Sequence, residues 1–155
     1  MRTPLHCNAA PPCAARRRMA GAAGVEFTLL FPLILLLVFG VIEFGAALYD
    51  KAILTNASRE AARSGVAFCT SSSSCSSSSY PTASSIQSVA TNYCQSRLVT
   101  FANGGAQCTF PKAITPCTST GADLSVQVSY TFTGLLIAQL VGGLTINAIT
   151  TMVCE

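Results

Sequence analysis

The sequence predicts an α+β fold: one long N-terminal transmembrane helix continuing into a stalk, then a small disulfide-stabilised head that contains an antiparallel sheet. Three observations predict it. A charge-free run, FTLLFPLILLLVFGVI, extends from Phe27 to Ile42, and the apolar pattern resumes past Glu43 to Tyr49, giving roughly the 20 residues that cross a bilayer as a helix. Leu124, Val126, Val128, Tyr130 and Phe132 alternate with Ser125, Gln127, Ser129 and Thr131, the pattern of a sheet with one wet face. Six of the eight cysteines (Cys69, Cys75, Cys94, Cys108, Cys117 and Cys154) follow the apolar run, and only Cys7 and Cys13 precede it.

Composition narrows the function classes. Of 155 residues, 50% are hydrophobic and 10% charged, against about 25% charged in an ordinary soluble domain. Nine Lys and Arg against six Asp and Glu leave a formal charge of +3, too sparse for a nucleic-acid footprint, so no nucleic-acid partner is expected. The single histidine is His6, which removes His-based general bases, triads and metal sites from the rest of the chain. With no G-x-S-x-G and no P-loop in the sequence, neither an enzyme nor a cofactor is expected, and no metal site is assigned.

Topology follows from charge and cysteine together. Arg16, Arg17 and Arg18 precede the apolar run, while Lys51, Arg59 and Arg63 follow it, so the count of cations alone is balanced. The six downstream cysteines break the tie, because an even set without a C-x-x-C pair reads as disulfides of an oxidising compartment. The N-terminus is therefore expected in the cytoplasm and the head in the periplasm or outside the cell. A cleaved secretory signal with its cut near Gly45-Ala46-Ala47 is the alternative. Against it, the apolar stretch is longer than the usual 7 to 15 residues, begins at a glutamate, and continues as a helical pattern past that site.

At the entry to the apolar run the sequence reads RRRMAGAAGVEFTLLFP: a basic cluster, Gly21, four small or apolar residues, then Glu26 and Phe27. This spacing resembles the processing motif of type IVb prepilins. More broadly, GVEFTLLFPLILLLVFGVIEFG and LTNASREAARSG, within about a third of the chain from Arg17 to Gly65, resemble a TadE-like minor pilin or pseudopilin of the tight adherence (Flp) pilus. Many members of that family have tyrosine where Phe27 stands. The resemblance implies that a prepilin peptidase cuts between Gly21 and Ala22, leaving Glu26 as the fifth residue of the mature chain. It also implies that the Glu26 carboxylate pairs with the new amine of a neighbouring subunit. The partners implied are the peptidase, other pilins and pseudopilins, the inner-membrane assembly platform and membrane lipid. The implied function is assembly of a Flp pilus supporting attachment and biofilm formation, with the protein in the inner membrane as a single-pass subunit or in the pilus.

A carboxylate at the edge of hydrocarbon is costly when unpaired, so such a pair would set the register of one subunit on the next. The simpler role for Glu26 is a favourable place in the first helical turn, where the macrodipole contributes about 0.3–1 kcal/mol. Glu43 lies about 25 Å further along a helix and is read as an interfacial, solvated glutamate. Pro32 removes one backbone bond and is expected to kink the helix. Beyond the membrane the helix continues to about Gly65, with Ala57, Ala61 and Gly65 forming a small-residue stripe that suits close approach to the head or to another subunit. Arg59, Glu60 and Arg63 are read as a solvated charged face.

Four regions result: a leader at 1–21, the transmembrane helix and stalk at 22–68, a Ser-rich linker at 69–83, and the head at 84–155. Within the head, Ile86, Val89, Ala90, Tyr93, Cys94 and Leu98 recur at helical spacing. A short strand is expected around Ala106 to Phe110, and Leu144 to Val153 is expected to pair antiparallel with the alternating strand. The expected disulfides are Cys69–Cys75 and Cys108–Cys117, leaving Cys94 and Cys154. If the cut occurs, His6, Cys7 and Cys13 leave with the leader, and residues 22–155 retain five Lys and Arg against six acids, a net charge of −1. The competing reading is an uncleaved single-pass protein whose disulfide-rich domain is an adaptor or sensor.

Overall fold

The computed structural model describes residues 16–67, 69, 80–101, 105–135 and 142–155. Among the described residues four elements occur in order: α1 (Arg16–Val66), α2 (Ala83–Gln95), β1 (Asp123–Phe132) and β2 (Leu144–Val153). By internal packing the chain divides into two units, residues up to Val38 and residues from Phe39 onward.

In the first unit the described residues are all α1. Its side chains from Ala23 to Val38 are exposed throughout, and the helix is long and apolar enough to cross a membrane. A helix pairs its backbone groups within the segment, apart from the one position that Pro32 interrupts, which is the condition for spanning hydrocarbon. The helix runs through Pro32, whose missing N–H leaves the carbonyl of Thr28 without its usual donor.

The second unit is the pilin-like α+β part. From Phe39 to Val66, α1 is two-faced: Glu43, Ala47, Asp50, Ile53, Leu54, Ala57, Ser58, Ala61 and Ala62 are buried, the three-and-four spacing of an inward helical stripe. Opposite them, α2 turns Ile86, Ala90 and Cys94 inward. Its first turn is capped by Thr82, whose side chain accepts from the Ser85 N–H at 3.3 Å. β1 and β2 form a two-stranded antiparallel sheet with Asp123 opposite Val153 and Phe132 opposite Leu144. Leu124, Val126, Val128, Tyr130 and Phe132 all point into the core, as the alternation predicts. Full burial of Leu54, Ile86, Leu124, Val126 and Val128 contributes about 1.5–3 kcal/mol for each side chain.

The small-residue stripe packs against the head of its own chain. Ala57 and Ala61 are fully buried, and a Cβ added at Gly65 would lie 2.5 Å from Leu124 Cδ2 and 2.8 Å from Ile86 Cδ1. Glycine is what lets α1 approach both β1 and α2 at that point. Arg59, Glu60 and Arg63 are exposed, in line with a solvated face.

Three expectations need correction. No strand forms at 106–110: Thr109 makes an isolated bridge to Ser129, with backbone bonds of 2.8 Å each way. That bridge covers Ser129, which is buried although the alternation assigns it to the wet face. The disulfides are Cys94–Cys108 and Cys117–Cys154, in place of Cys108–Cys117. Cys94 lies on the inward face of α2, facing the segment that leads into the Thr109 bridge. Cys117 meets Cys154 because Cys154 bonds Ala122 and Gly121 through its backbone N–H and carbonyl. Cys69 is also disulfide-bonded; its expected partner Cys75 lies outside the described residues, as does 70–79 of the Ser-rich segment. Glu43, finally, is not a solvated interfacial group: it is buried, with 4% of its surface exposed.

Candidate functional site: the N-terminal helix and its acids

The residues named for processing and assembly sit at the start of α1. Gly21 and Ala22 lie within the helical span, and the side chains of 16–22 are outside the described set. Glu26 follows one helical turn later and is exposed. It has neither an ion pair nor a hydrogen-bond partner among the described residues, so its carboxylate is available to another molecule.

Phe27 is 63% exposed, and its ring lies 5.4 Å from that of Phe31, tilted by 30°. The pair forms an apolar ridge beside Glu26, as expected for i,i+4 aromatics on one helix face. Thr28 hydroxyl donates to the Gly24 carbonyl at 2.8 Å, leaving no competing polar group on that turn. Nothing lies within 4 Å of a Cβ added at Gly24. An acid beside an aromatic ridge, on a helical stretch (23–38) whose apolar side chains are all exposed, can do two things chemically. It can accept a cation from a neighbouring chain, and it can penalise any packing that leaves it unpaired in hydrocarbon.

Of the three further acids on α1, Glu60 is exposed, whereas two differ from Glu26 in being covered by their own chain. Glu43 is one. The other, Asp50, went unremarked in the sequence, although it lies two helical turns after Glu43 on the same inward stripe. Asp50 is fully buried. One of its oxygens accepts the Val99 N–H at 2.9 Å, and the other, Oδ2, is buried without a partner among the described residues. The Tyr130 hydroxyl donates to the Val99 carbonyl at 3.2 Å, so α1, the segment after α2, and β1 meet at one polar knot.

Asp50 follows the apolar run, and a helix described from Ala23 to Val66 is far longer than the ~20 residues hydrocarbon requires. Burial pushes its carboxyl above the ordinary aspartate range, partly opposed by the Val99 N–H. The Tyr130 phenol is also raised, by burial first, with the Thr100 side chain opposing and the nearby Asp50 adding to the shift. Among the described residues no group of three or more His, Cys, Asp or Glu side chains is arranged to hold a metal ion.

Residues 21–63 match the family model described as TadE-like protein. The match begins at the glycine of the expected cut and ends on the exposed Arg63, covering the apolar run and the helix that packs on the head. No curated protein and no solved structure matches the chain.

Proposed function

We propose that this protein is a minor pilin, or pseudopilin, required to build a tight adherence pilus and through it to support attachment and biofilm formation. One observation carries the reading. The TadE-like match spans 21–63, and within it the one acid at the head of an uncovered apolar helix, Glu26, is exposed and has no partner among the described residues.

A prepilin peptidase at the cytoplasmic face removes residues 1–21, and Ala22 supplies a new α-amine. In the assembling filament that amine meets Glu26 of the adjoining subunit. The ion pair forms where water is excluded, so a mismatched register leaves both charges unpaired and is rejected. Pro32 is a structural feature of the same helix. Other pilins, pseudopilins and the inner-membrane platform are the partners, and lipid surrounds the helix before assembly. The chain crosses the inner membrane once, with its head on the oxidising side, where Cys69, Cys94, Cys108, Cys117 and Cys154 are disulfide-bonded.

Two variants separate processing from assembly. Gly21→Val is expected to block cleavage, read as retention of the leader on immunoblot. Glu26→Gln keeps the shape but not the charge; it is expected to be cleaved normally and to abolish piliation in a strain carrying the full assembly system. Normal piliation by Glu26→Gln would remove the ion pair from the mechanism.

A further inference from the structure

Two contacts fix how β2 runs along α1. Ser58 Oγ lies 2.8 Å from Thr150 Oγ1, and Lys51 donates to the Asn147 carbonyl. From Ser58 back to Lys51 is about 10.5 Å of helix, and from Thr150 back to Asn147 is about 10 Å of strand. The two elements therefore advance together in the same direction. Three more strand residues reach Leu144, at the level of Phe44 on the helix.

That end of the head is apolar and uncharged. Leu144 is 56% exposed, Leu135 44% and Phe101 39%. The three are neighbours by pairing: Leu144 is opposite Phe132, the Phe101 ring stands edge-on to Phe132 at 6.2 Å, and the Phe101 N–H donates to the Thr133 carbonyl. Leu135 follows three residues after Phe132. At the same level α1 exposes Val41, Ile42, Phe44 and Leu48, so the apolar surface of the helix continues onto the head. No Asp, Glu, Lys or Arg occurs at 98–101, 132–135 or 142–145. The two acids of α1 near this level, Glu43 and Asp50, are both buried.

We infer that the end of the head bearing Phe101, Leu135 and Leu144 is a lipid-contacting rim that dips into the interfacial layer of the membrane beside α1. The occupant is a bilayer because the rim is continuous with a helix surface that is itself of membrane-spanning composition, and because a rim without ionised side chains incurs no cost of desolvating a charge. Lipid contact at two places fixes the tilt and rotation of the head on the membrane, which a single helix alone does not. The inference rests on the single-pass reading above.

The chain contains no tryptophan, so single tryptophans report position directly. Phe101→Trp, Leu144→Trp, Leu37→Trp in mid-helix and Ser119→Trp at the opposite end of the sheet are each placed in the full chain. Each is then reconstituted at one copy per nanodisc in phosphatidylcholine with brominated acyl chains. Leu37→Trp quenching checks the spanning helix. At positions 101 and 144, bromolipid is expected to lower emission about twofold relative to unbrominated lipid, as for rings held roughly 5–10 Å into the headgroup and acyl boundary. Ser119→Trp is expected to stay unquenched. If position 37 is quenched while 101 and 144 behave like 119, the rim is not in lipid and the inference fails with the spanning helix intact. Lack of quenching at 37 would overturn the membrane reading itself. Both rim positions are exposed, so either variant alone suffices should the other fail to form its disulfides.

Discussion

Asp50 shows what a single side chain does to the head. Its carboxylate is fully buried, one oxygen is held by the Val99 N–H, and the other has no partner among the described residues. Burial raises its pKa, so on raising the pH the unfolded chain gives up this proton first, at about 3.9. The stabilising share of Asp50 is therefore complete below that value and is lost as pH climbs through the higher pKa of the folded state. Thermal melts of the full chain in detergent, followed by tyrosine near-ultraviolet dichroism, are expected to show a midpoint that falls as pH rises from about 4. Asp50→Asn, with the same shape and an amide able to accept from Val99, is expected to flatten that slope. Gly65 gives a second prediction. Gly65→Ala puts a methyl 2.5 Å from Leu124 Cδ2 and is expected to destabilise the head by about 1–3 kcal/mol, measured by the same melts. Gly65 was legible in the sequence as the last member of the small-residue stripe that suits close approach, whereas Asp50 was not: one acid among small helical residues looks like surface until the head closes over it.

At the scale of elements, periodicity carried most of the fold. The alternation through Leu124 and Phe132 is a property of one strand and survives into β1 unchanged, as does the helical spacing of Ile86, Ala90 and Cys94 in α2. What local pattern did not reveal was contact between distant segments. Thr109 joins Ser129 by a bridge of only one residue, too short for an alternation to register. The cysteine pairs depend on where α2 and the chain terminus arrive. Cys117–Cys154 closes a separation of 37 residues and Cys94–Cys108 one of 14. Removing either as a double alanine variant is expected to cost about 2–5 kcal/mol. By loop entropy the longer closure is worth about 0.9 kcal/mol more. Denaturation of the two variants in detergent compares them, with the Cys117→Ala/Cys154→Ala chain expected to unfold at the lower denaturant concentration. Glu43 illustrates the same limit: its distance along the helix suggested a solvated interface, but the folded chain buries it.

The whole molecule combines two kinds of surface. Residues from Phe39 onward bury a core and staple it with disulfides, whereas residues 23–38 of α1 leave their apolar side chains exposed throughout. Such a helix must be surrounded by lipid or by other helices, and in the proposed assembly Glu26 at its head is the group that distinguishes one arrangement from another. The motif around Gly21 and Glu26 was readable because it is local: a glycine, four small or apolar residues, a glutamate and an aromatic residue stand in one short stretch, and the family match begins at that glycine. The head's rim was not, since Phe101, Leu135 and Leu144 converge only through the pairing of β1 with β2. Everything proposed for assembly requires that residues 1–21 be removed. Intact mass and N-terminal sequencing of the membrane-extracted protein measure this directly: Ala22 is expected as the first residue, whereas a mature chain that still carries Arg16, Arg17 and Arg18 would leave an uncleaved single-pass protein with no free amine for Glu26 to meet.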